Sequence, residues 1–214
     1  MSATGYVLLG LLVLVVLAGI WGLVSRRRSI PCPTWLGWLV ELDNPFTKTN
    51  RAAVIVQRLD VDPGMTVLDF GCGPGRLAIL LAKAVGPQGE VVAVDIAAGM
   101  LDRAREKARA AKLANIRFLQ AAAGEGKLGR NRFDRALLVT VLGEIPDRHA
   151  ALKEIYDALK PGGVLSVTEV MFDPHFQTRP TVARLAGAVG FKQKAFYGHP
   201  LAFALNLEKP PDGA

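Results

Sequence analysis

Three alternating glycines, Gly71, Gly73 and Gly75, have the type and spacing of a turn that holds a small molecule close to the main chain. A Cβ in such a turn would block both the positive φ angles and the approach of a ligand to the backbone. The turn lies between the β-branched and apolar run Thr66–Phe70 and the helical apolar pattern Leu77–Lys83. The sequence therefore predicts a strand, a tight turn and a helix whose free N–H groups and positive dipole end point into the turn.

Two aspartates accompany this turn. Asp69 closes the predicted first strand, and Asp95 ends a second buried-strand pattern, Glu90–Asp95. A carboxylate about two dozen residues after the first glycine lies where a ribose diol needs a hydrogen-bond acceptor. These features alone are typical of any nucleotide-binding site on a Rossmann-like sheet and do not distinguish one kind of nucleotide from another. They depart from the dinucleotide pattern, in which the third glycine stands three positions after the second.

Four segments, 67–75, 92–96, 132–139 and 159–167, combine a strand pattern with glycines or an acid at its end. In order and spacing they resemble the motifs of the class I S-adenosylmethionine-dependent methyltransferases, and the resemblance extends from Asn50 to Pro210. It implies S-adenosyl-L-methionine as the cofactor. It also implies an α/β fold with a doubly wound, mostly parallel seven-stranded sheet whose last strand is antiparallel.

The hydrophobic pattern agrees with that fold class. Nearly continuous apolar runs alternate with amphipathic helical patterns, which indicates a parallel sheet covered on both faces. The predicted strands are 66–70, 90–95, 116–119, 133–140, 163–170, 191–197 and 201–208, and the predicted helices are 45–59, 76–85, 99–113, 147–160 and 178–189. A short turn at 198–200 joins the last two strands, so they must be antiparallel because no crossover helix fits between them.

The resemblance places the cofactor at the carboxyl ends of the first four strands. The residues that it assigns to the cofactor are Asp69, Gly71, Cys72, Gly73, Gly75, Asp95, Ile96, Met100, Glu125 and Val141. Asp95 is expected to accept from the ribose hydroxyls, and Ile96 and Met100 either enclose the adenine ring or belong to the core. Many relatives have an acid after the third strand that receives the adenine amino group. This chain has alanines at 121–123, so either Glu125 or a backbone carbonyl is expected there.

The acceptor side is expected beyond the fourth and fifth strands. Glu144 is a candidate catalytic residue, either as a general base or as a fixed charge that orients an amine headgroup, and its alternative role is to cap the following helix. His175 is a second candidate base, with a structural hydrogen-bonded role as the alternative. Phe172 and Phe176 would make the wall beside it apolar. Methyl transfer from a sulfonium needs no metal, and the two cysteines, which lie far apart in the chain, form no metal-ligand spacing.

A transmembrane anchor is predicted at the amino terminus, in residues 1–28. The stretch Tyr6–Val24 contains 19 residues without a charge, and a helix of that length spans ~28 Å, close to the ~30 Å hydrocarbon core of a bilayer. The arginines at 26–28 follow it, which places the larger part of the chain in the cytoplasm as a single-pass membrane protein. A cleavable signal peptide is the alternative, but no basic residue precedes the apolar stretch.

Residues 29–43 form a predicted linker with a short amphipathic helix. Trp35, Trp38, Leu39 and Leu42 fall on one face of it. That face either packs on the core of the methyltransferase domain, residues 44–214, or lies at the membrane surface with its tryptophans at headgroup depth. The net charge of +7 is scattered apart from the three arginines, so the expected partner is the lipid bilayer rather than nucleic acid.

The sequence therefore favours a membrane-anchored methyltransferase whose acceptor is a membrane-resident lipid or quinone. The resemblance points to quinone C-methylating and phospholipid N-methylating members of the family. A protein or a small cytosolic metabolite is the alternative acceptor, and a cofactor-binding membrane scaffold without turnover is the alternative outside the enzymes. The oligomeric state is left open by the sequence.

Overall fold

The computed structural model describes residues 50–211 together with Ser2, Gly5, Tyr6, Leu9, Gly10, Leu12, Val13 and Gly213. Strands and helices alternate from Ala52 to Glu208. The strands are β1 Thr66–Phe70, β2 Glu90–Asp95, β3 Ile116–Gln120, β4 Phe133–Val139, β5 Leu159–Val170, β6 Lys192–His199 and β7 Ala202–Glu208. The helices are α1 Ala52–Leu59, α2 Arg76–Val85, α3 Ala98–Ala110, α4 Arg148–Ala158 and α5 Arg179–Ala188.

The seven strands form one sheet in the order β3-β2-β1-β4-β5-β7-β6. Strands β1 to β5 pair in parallel, and β7 pairs antiparallel with both β5 and β6. The predicted mixed sheet with an antiparallel last strand is therefore confirmed. The strand order reverses between β1 and β4, and ligands of open α/β sheets bind beyond the carboxyl ends of the strands at such a point.

Alternation along the strands gives the domain two apolar layers. Neighbouring side chains of a strand point to opposite faces of the sheet. Accordingly, Val67 belongs to the cluster of buried residues that includes Leu81 of α2 and Leu101 of α3, whereas Leu68 belongs to the cluster that includes Leu152 of α4. Both faces of β1 are thus covered, which fixes the strand that carries the glycine turn.

The predicted boundaries differ most from the structure between α4 and β5. The helix was expected to run to residue 160 and the strand to begin at 163, but α4 ends at Ala158 and β5 begins at Leu159. Leu159 is fully buried and pairs with Phe133 across a register shift between β4 and β5. Burial of that side chain in the sheet therefore overrides the helical pattern of the preceding residues.

The predicted transmembrane anchor and the tryptophan-bearing linker fall largely or wholly outside the described residues, as does the start of the predicted helix 45–59. Within the described part of the chain, no helix has the length and apolarity needed to cross a bilayer.

Candidate cofactor and acceptor site

The glycine turn after β1 is fastened to the neighbouring strand β2. Gly71, Gly73 and Gly75 have φ angles of 75°, 52° and 84°, which lie in the region that favours glycine. The N–H groups of Gly71 and Cys72 both donate to the carbonyl of Val94, at 2.8 and 2.9 Å. The turn is thereby held at the carboxyl end of the sheet, as predicted.

The three glycines are needed for different reasons. A Cβ at Gly71 would lie 2.7 Å from Cγ1 of Val141, and one at Gly75 would lie 2.9 Å from Cβ of Ala104 in α3. A Cβ at Gly73, by contrast, would meet nothing within 4 Å. Gly71 and Gly75 therefore permit close packing within the protein, whereas Gly73 borders open space in which a ligand can approach the backbone.

Asp95 ties the end of β2 to the turn. Its Oδ2 accepts from the N–H of Gly73 at 2.8 Å and its Oδ1 accepts from the N–H of Ala97 at 2.9 Å. Burial raises the pKa of this carboxyl, and the N–H groups that it accepts from oppose that rise. Because each carboxylate oxygen has two lone pairs, both oxygens retain acceptor capacity for hydroxyl groups.

Asp69 and Cys72 are buried beside Asp95. In the described structure Oδ2 of Asp69 has no hydrogen-bond partner. Burial, reinforced by the charge of Asp95, raises the pKa of Asp69 to about 7, while Arg76 and the N–H of Ala78 act in the opposite direction. Burial also raises the pKa of the Cys72 thiol, so this cysteine packs as a neutral side chain.

The other residues assigned to the cofactor lie around the turn in different environments. Met100 is buried, whereas Ile96 follows β2 with 53% of its surface exposed. Val141 is half-buried against Gly71. Glu125 is exposed and paired with Lys127 at 2.7 Å, a contact that lowers the pKa of Glu125. An exposed apolar Ile96 is suited to cover a flat ring, whereas the buried Met100 is part of the core.

The segment after β4 forms the start of the acceptor side. Thr140 ends the strand with a φ of 55°, an uncommon value for a β-branched residue. A 3₁₀ turn, Leu142–Glu144, follows it. Arg148 holds this turn, because its Nε donates to the carbonyl of Leu142 at 3.1 Å and an Nη donates to that of Gly143 at 2.9 Å.

The alternative role of Glu144 as a helix cap is wrong. Asp147 caps α4, and its Oδ1 accepts from the N–H of Ala150 at 2.9 Å. The carboxyl group of Glu144 is therefore available for another use.

Glu144 and His175, the two candidate catalytic residues, lie close together beyond the carboxyl ends of β4 and β5. His175 Nδ1 lies 3.9 Å from Oε1 of Glu144 and 3.8 Å from Oδ1 of Asp173. The imidazole is buried and the Glu144 side chain is 22% exposed. Burial, together with the charges of Asp173 and Asp95, raises the pKa of Glu144 to about 8.

Packing of the backbone holds this pair in place. Gly143 lies against the carbonyl group of His175 so closely that a Cβ at Gly143 would be 2.7 Å from the His175 carbonyl carbon. The 3₁₀ turn and the loop after β5 are therefore locked against each other. The same contact explains why a glycine stands beside Glu144.

Glu169, near the end of β5, is a further buried carboxyl that the sequence reasoning did not identify. Its Oε2 accepts from the N–H of Gln177 at 3.0 Å, while Oε1 lacks a hydrogen-bond partner among the described residues. Burial raises its pKa to about 8. The signal in the sequence was an acid within an otherwise largely apolar strand, Val164–Val170.

The predicted apolar wall is divided between surface and core. Phe172 is 72% exposed, whereas Phe176 packs edge-on against Phe203 with ring centroids 6.3 Å apart. The site thus combines an ordered turn for a polar ligand, a neighbouring carboxyl and imidazole whose closest atoms lie 3.9 Å apart, and an apolar margin. In the part of the chain that the structure describes, no group of three His, Cys, Asp or Glu residues is arranged to hold a metal ion.

Comparison with known proteins agrees with this geometry. A family model described as a methyltransferase domain matches residues 61–200. The chain is 32% identical over 142 residues to a demethylmenaquinone methyltransferase of Geobacillus sp. (strain WCH70), a match that covers 66% of this chain and 55% of that protein. It spans about half the length of the curated relatives that it matches.

Solved structures share the fold at lower identity. A SAM-dependent methyltransferase from Aquifex aeolicus has a TM-score of 0.75 at 20% identity, over 84% of this chain and 100% of that one. The Burkholderia thailandensis 1,6-didemethyltoxoflavin-N1-methyltransferase, solved with 1,6-didemethyltoxoflavin and S-adenosylhomocysteine, has a TM-score of 0.62 at 22% identity, over 77% and 79% of the two chains. Because the family model spans more than half of the 214 residues, the chain belongs to the class I S-adenosylmethionine-dependent methyltransferases, and its cofactor is S-adenosylmethionine.

Proposed function

We propose that the chain transfers a methyl group from S-adenosylmethionine to a ring carbon of a quinol that carries an apolar tail. The observation that carries this proposal is the buried pair of Glu144 and His175 at the acceptor side of the cofactor turn. The identity to a demethylmenaquinone methyltransferase supports the acceptor class. We further propose that residues 1–28 anchor the enzyme in a membrane as a single-pass protein with its catalytic domain in the cytoplasm.

The residues of the turn fit the cofactor. The open space beside Gly73 admits a ligand to the backbone, and Asp95 retains acceptor capacity for the two ribose hydroxyls. Ile96 offers an exposed apolar face to the adenine ring. When it is bound, S-adenosylmethionine supplies an electrophilic methyl group on a sulfonium. Val141, in the loop that carries Glu144, packs against Gly71 of the cofactor turn. The cofactor space and the acceptor-side loop are therefore neighbours.

A ring carbon that gains a methyl group must lose a proton, either from the carbon itself or by way of the ring hydroxyl. Glu144 is suited to receive it because its pKa of about 8 is closer to that of a phenol than an ordinary carboxyl pKa is. His175 lies beside it and accepts or returns a proton at Nδ1 or Nε2. Holding the acceptor in line contributes further, since orientation alone supplies ~7–11 kcal/mol in favourable cases.

An amine acceptor, such as a phospholipid headgroup, is the second candidate. In addition to burial, the charge of Asp173 raises the pKa of both Glu144 and Glu169, so three carboxyl groups lie together at the acceptor side. An ammonium group would be attracted to such a cluster and would lower the cost of ionising it. This arrangement favours an amine over a neutral hydroxyl in a soluble metabolite.

Methyl transfer from labelled donor distinguishes these acceptors. The full chain is reconstituted in lipid nanodiscs with methyl-labelled S-adenosylmethionine under anaerobic conditions. One sample contains a reduced, ring-demethylated naphthoquinol with a prenyl tail, a second contains phosphatidylethanolamine without quinol, and a third contains a cytosolic extract. We expect label in the quinol, identified by mass in the organic phase.

Two variants make the test specific for the site. Glu144→Gln should remove most of the quinol labelling, and Glu106→Gln, on the exposed surface of α3, should leave it unchanged. Label in phosphatidylethanolamine alone would replace the quinol by the amine acceptor. Label confined to protein or to water-soluble compounds would refute a membrane acceptor, and bound donor without any label would favour the scaffold.

A further inference from the structure

The exposed large apolar side chains of the catalytic domain gather at one edge of the sheet. Within residues 50–211 they are Ile96, Met171, Phe172 and Leu201, with 53%, 42%, 72% and 47% of their surfaces exposed. Single exposed apolar residues scattered over a surface need no explanation. Here the exposed apolar side chains are confined to one edge, and the rest of the described domain surface has no large exposed apolar side chain. Such a confined set requires an explanation.

The topology accounts for this placement. Met171 and Phe172 follow β5 directly, at its carboxyl end. Leu201 lies in the turn between β6 and β7, and β6 is parallel to β5 because both are antiparallel to β7. The turn therefore projects from the same edge, and the N–H of Met171 donates to the carbonyl of Leu201 at 2.8 Å. Met171, Phe172 and Leu201 thus form one contiguous surface, the apolar rim.

The apolar rim borders the acceptor side of the site. Phe172 immediately precedes Asp173, whose Oδ1 accepts from the N–H of His175 at 2.6 Å and lies 3.8 Å from its Nδ1. Phe172 and His175 therefore belong to the same short loop, and His175 lies beside Glu144. Large apolar side chains beside a buried polar site favour an apolar neighbour that covers them.

We propose that the apolar rim inserts into the surface of the lipid bilayer and opens the acceptor side directly to the membrane. The inference rests on the proposed function, since an acceptor with an apolar tail would then reach His175 without crossing water. The amino terminus of the same chain supports a lipid partner. It contains the uncharged stretch Tyr6–Val24 and the arginines at 26–28, which are attracted to anionic headgroups.

Described residues of that stretch are consistent with a membrane neighbour. Tyr6, Leu9, Leu12 and Val13 are exposed large apolar residues, the remaining members of this class in the described structure. A chain with an apolar segment at one end and an apolar rim on its catalytic domain is held by two contacts. A membrane anchor raises the effective concentration of the rim at the bilayer, so even a weak contact of the rim is populated.

Collision accessibility of a nitroxide spin label tests the insertion. The full chain with Cys32→Ser is reconstituted in phosphatidylcholine and phosphatidylglycerol vesicles, and Cys72 is retained because it is buried. A label is attached at Phe172→Cys, at Leu201→Cys or, as the matched control, at Gln88→Cys. Gln88 is exposed in the turn before β2, at the opposite edge of the sheet.

We expect the label at positions 172 and 201 to collide more often with oxygen, which dissolves in the bilayer, than with a water-soluble nickel chelate. The order of the two should reverse at position 88. Nickel accessibility at 172 and 201 equal to that at 88 would overturn the proposal, because the rim would then face water. Protection from both reagents would overturn it as well, in favour of a protein segment such as residues 29–43 on the rim.

The result is independent of turnover because the measurement needs neither donor nor acceptor. An inserted rim without methylation of any quinol would refute the proposed acceptor and leave the membrane contact standing. Methylation of the quinol by a protein whose rim faces water would refute the membrane contact and leave the proposed acceptor standing. A Leu201→Ser variant adds a second readout: we expect loss of activity on a long-tailed quinol in vesicles and unchanged activity on a short-tailed, water-soluble quinol.

Discussion

Gly71 faces the side chain of Val141 so closely that a Cβ at Gly71 would lie 2.7 Å from Cγ1 of Val141 and nearer still to Cγ2. Gly71 belongs to the cofactor turn after β1, and Val141 belongs to the loop after β4 that carries Glu144. The sheet places these two strands side by side, at the point where the strand order reverses. The contact therefore sets the spacing between the cofactor side and the acceptor side of the site.

Gly71→Ala should destabilise the domain and abolish cofactor binding. The added methyl group overlaps Val141, which costs about 1–3 kcal/mol in a packed interior, and the φ of 75° adds about 1–2 kcal/mol for a residue with a Cβ. Chemical denaturation would report the loss of stability, and calorimetric titration with S-adenosylhomocysteine would report the loss of binding.

Gly73→Ala is the matched control for the turn. Its φ of 52° is also positive, but its Cβ would meet nothing within 4 Å. It should therefore cost only about 1–2 kcal/mol of stability, while its methyl group intrudes into the space assigned to the cofactor. Equal destabilisation by the two substitutions would show that the contact with Val141 is unimportant.

Asp95→Asn should weaken the binding of S-adenosylhomocysteine by about 10- to 100-fold. Both carboxylate oxygens accept from backbone N–H groups, those of Gly73 and Ala97. In Asn the amide NH₂ group replaces one oxygen, and it cannot accept a hydrogen bond from the N–H group opposite it. A hydrogen bond to a charged group contributes about 1.5–3 kcal/mol, and each 1.4 kcal/mol corresponds to a tenfold change in affinity. Calorimetric titration measures the change.

Glu125→Ala, which removes every acceptor atom of that side chain, provides the comparison for Asp95→Asn. Glu125 is exposed and paired with Lys127, yet it is also the side chain that the sequence offered as a contact of the adenine amino group. Unchanged affinity would assign that contact to a backbone carbonyl. A loss of affinity as large as that of Asp95→Asn would assign the adenine contact to Glu125.

The rate of methyl transfer should rise with pH as Glu144 ionises. The pKa of its carboxyl is raised to about 8, so the group is mostly protonated at pH 7 and cannot accept a proton there. We expect kcat to increase from pH 6.5, to reach half of its maximum near pH 8, and to level off above about pH 9. In Glu144→Gln the rate should fall by about 10²-fold or more and lose this dependence. A variant with the wild-type profile would exclude Glu144 as the proton acceptor.

The cofactor turn and the sheet were predictable because their signals are local. Three alternating glycines after an apolar run require a turn with positive φ angles, and Asp95 at the end of the next strand lies beside it in any parallel pairing. The last two strands were predictable because a short turn leaves no room for a crossover. Each of these inferences needs only neighbouring residues and the geometry of parallel strands.

The acceptor side was less predictable because it depends on contacts between distant segments. The role of Gly143 becomes clear only when the carbonyl of His175 is seen against it. Asp147 rather than Glu144 caps α4, a choice between two nearby acids that the sequence does not settle. Glu169 was missed because an acid within an apolar strand is explained only by its partner, the N–H of Gln177.

The stability of the domain should fall as pH rises, and Glu169 should account for part of the fall. Burial raises the pKa of Glu169 from an ordinary value of 4.5 to about 8, so between these pH values the folded state binds more protons than the unfolded state. Linkage then requires the free energy of unfolding to decrease with pH in that window, by roughly a few kcal/mol for a fully buried group.

Glu169→Gln removes this titration, so the stability of the variant relative to the wild type should increase with pH. The amide oxygen still accepts from the N–H of Gln177, which bonds Oε2 at 3.0 Å. At pH 5.5 the variant should therefore be close to the wild type in stability, and at pH 8.5 it should be the more stable of the two. Thermal unfolding at both pH values measures the difference, with the exposed Glu106→Gln as the control. A constant difference between Glu169→Gln and the wild type would mean that Glu169 is already ionised at pH 5.5, because a carboxylate whose pKa is not raised has no proton to lose in this window.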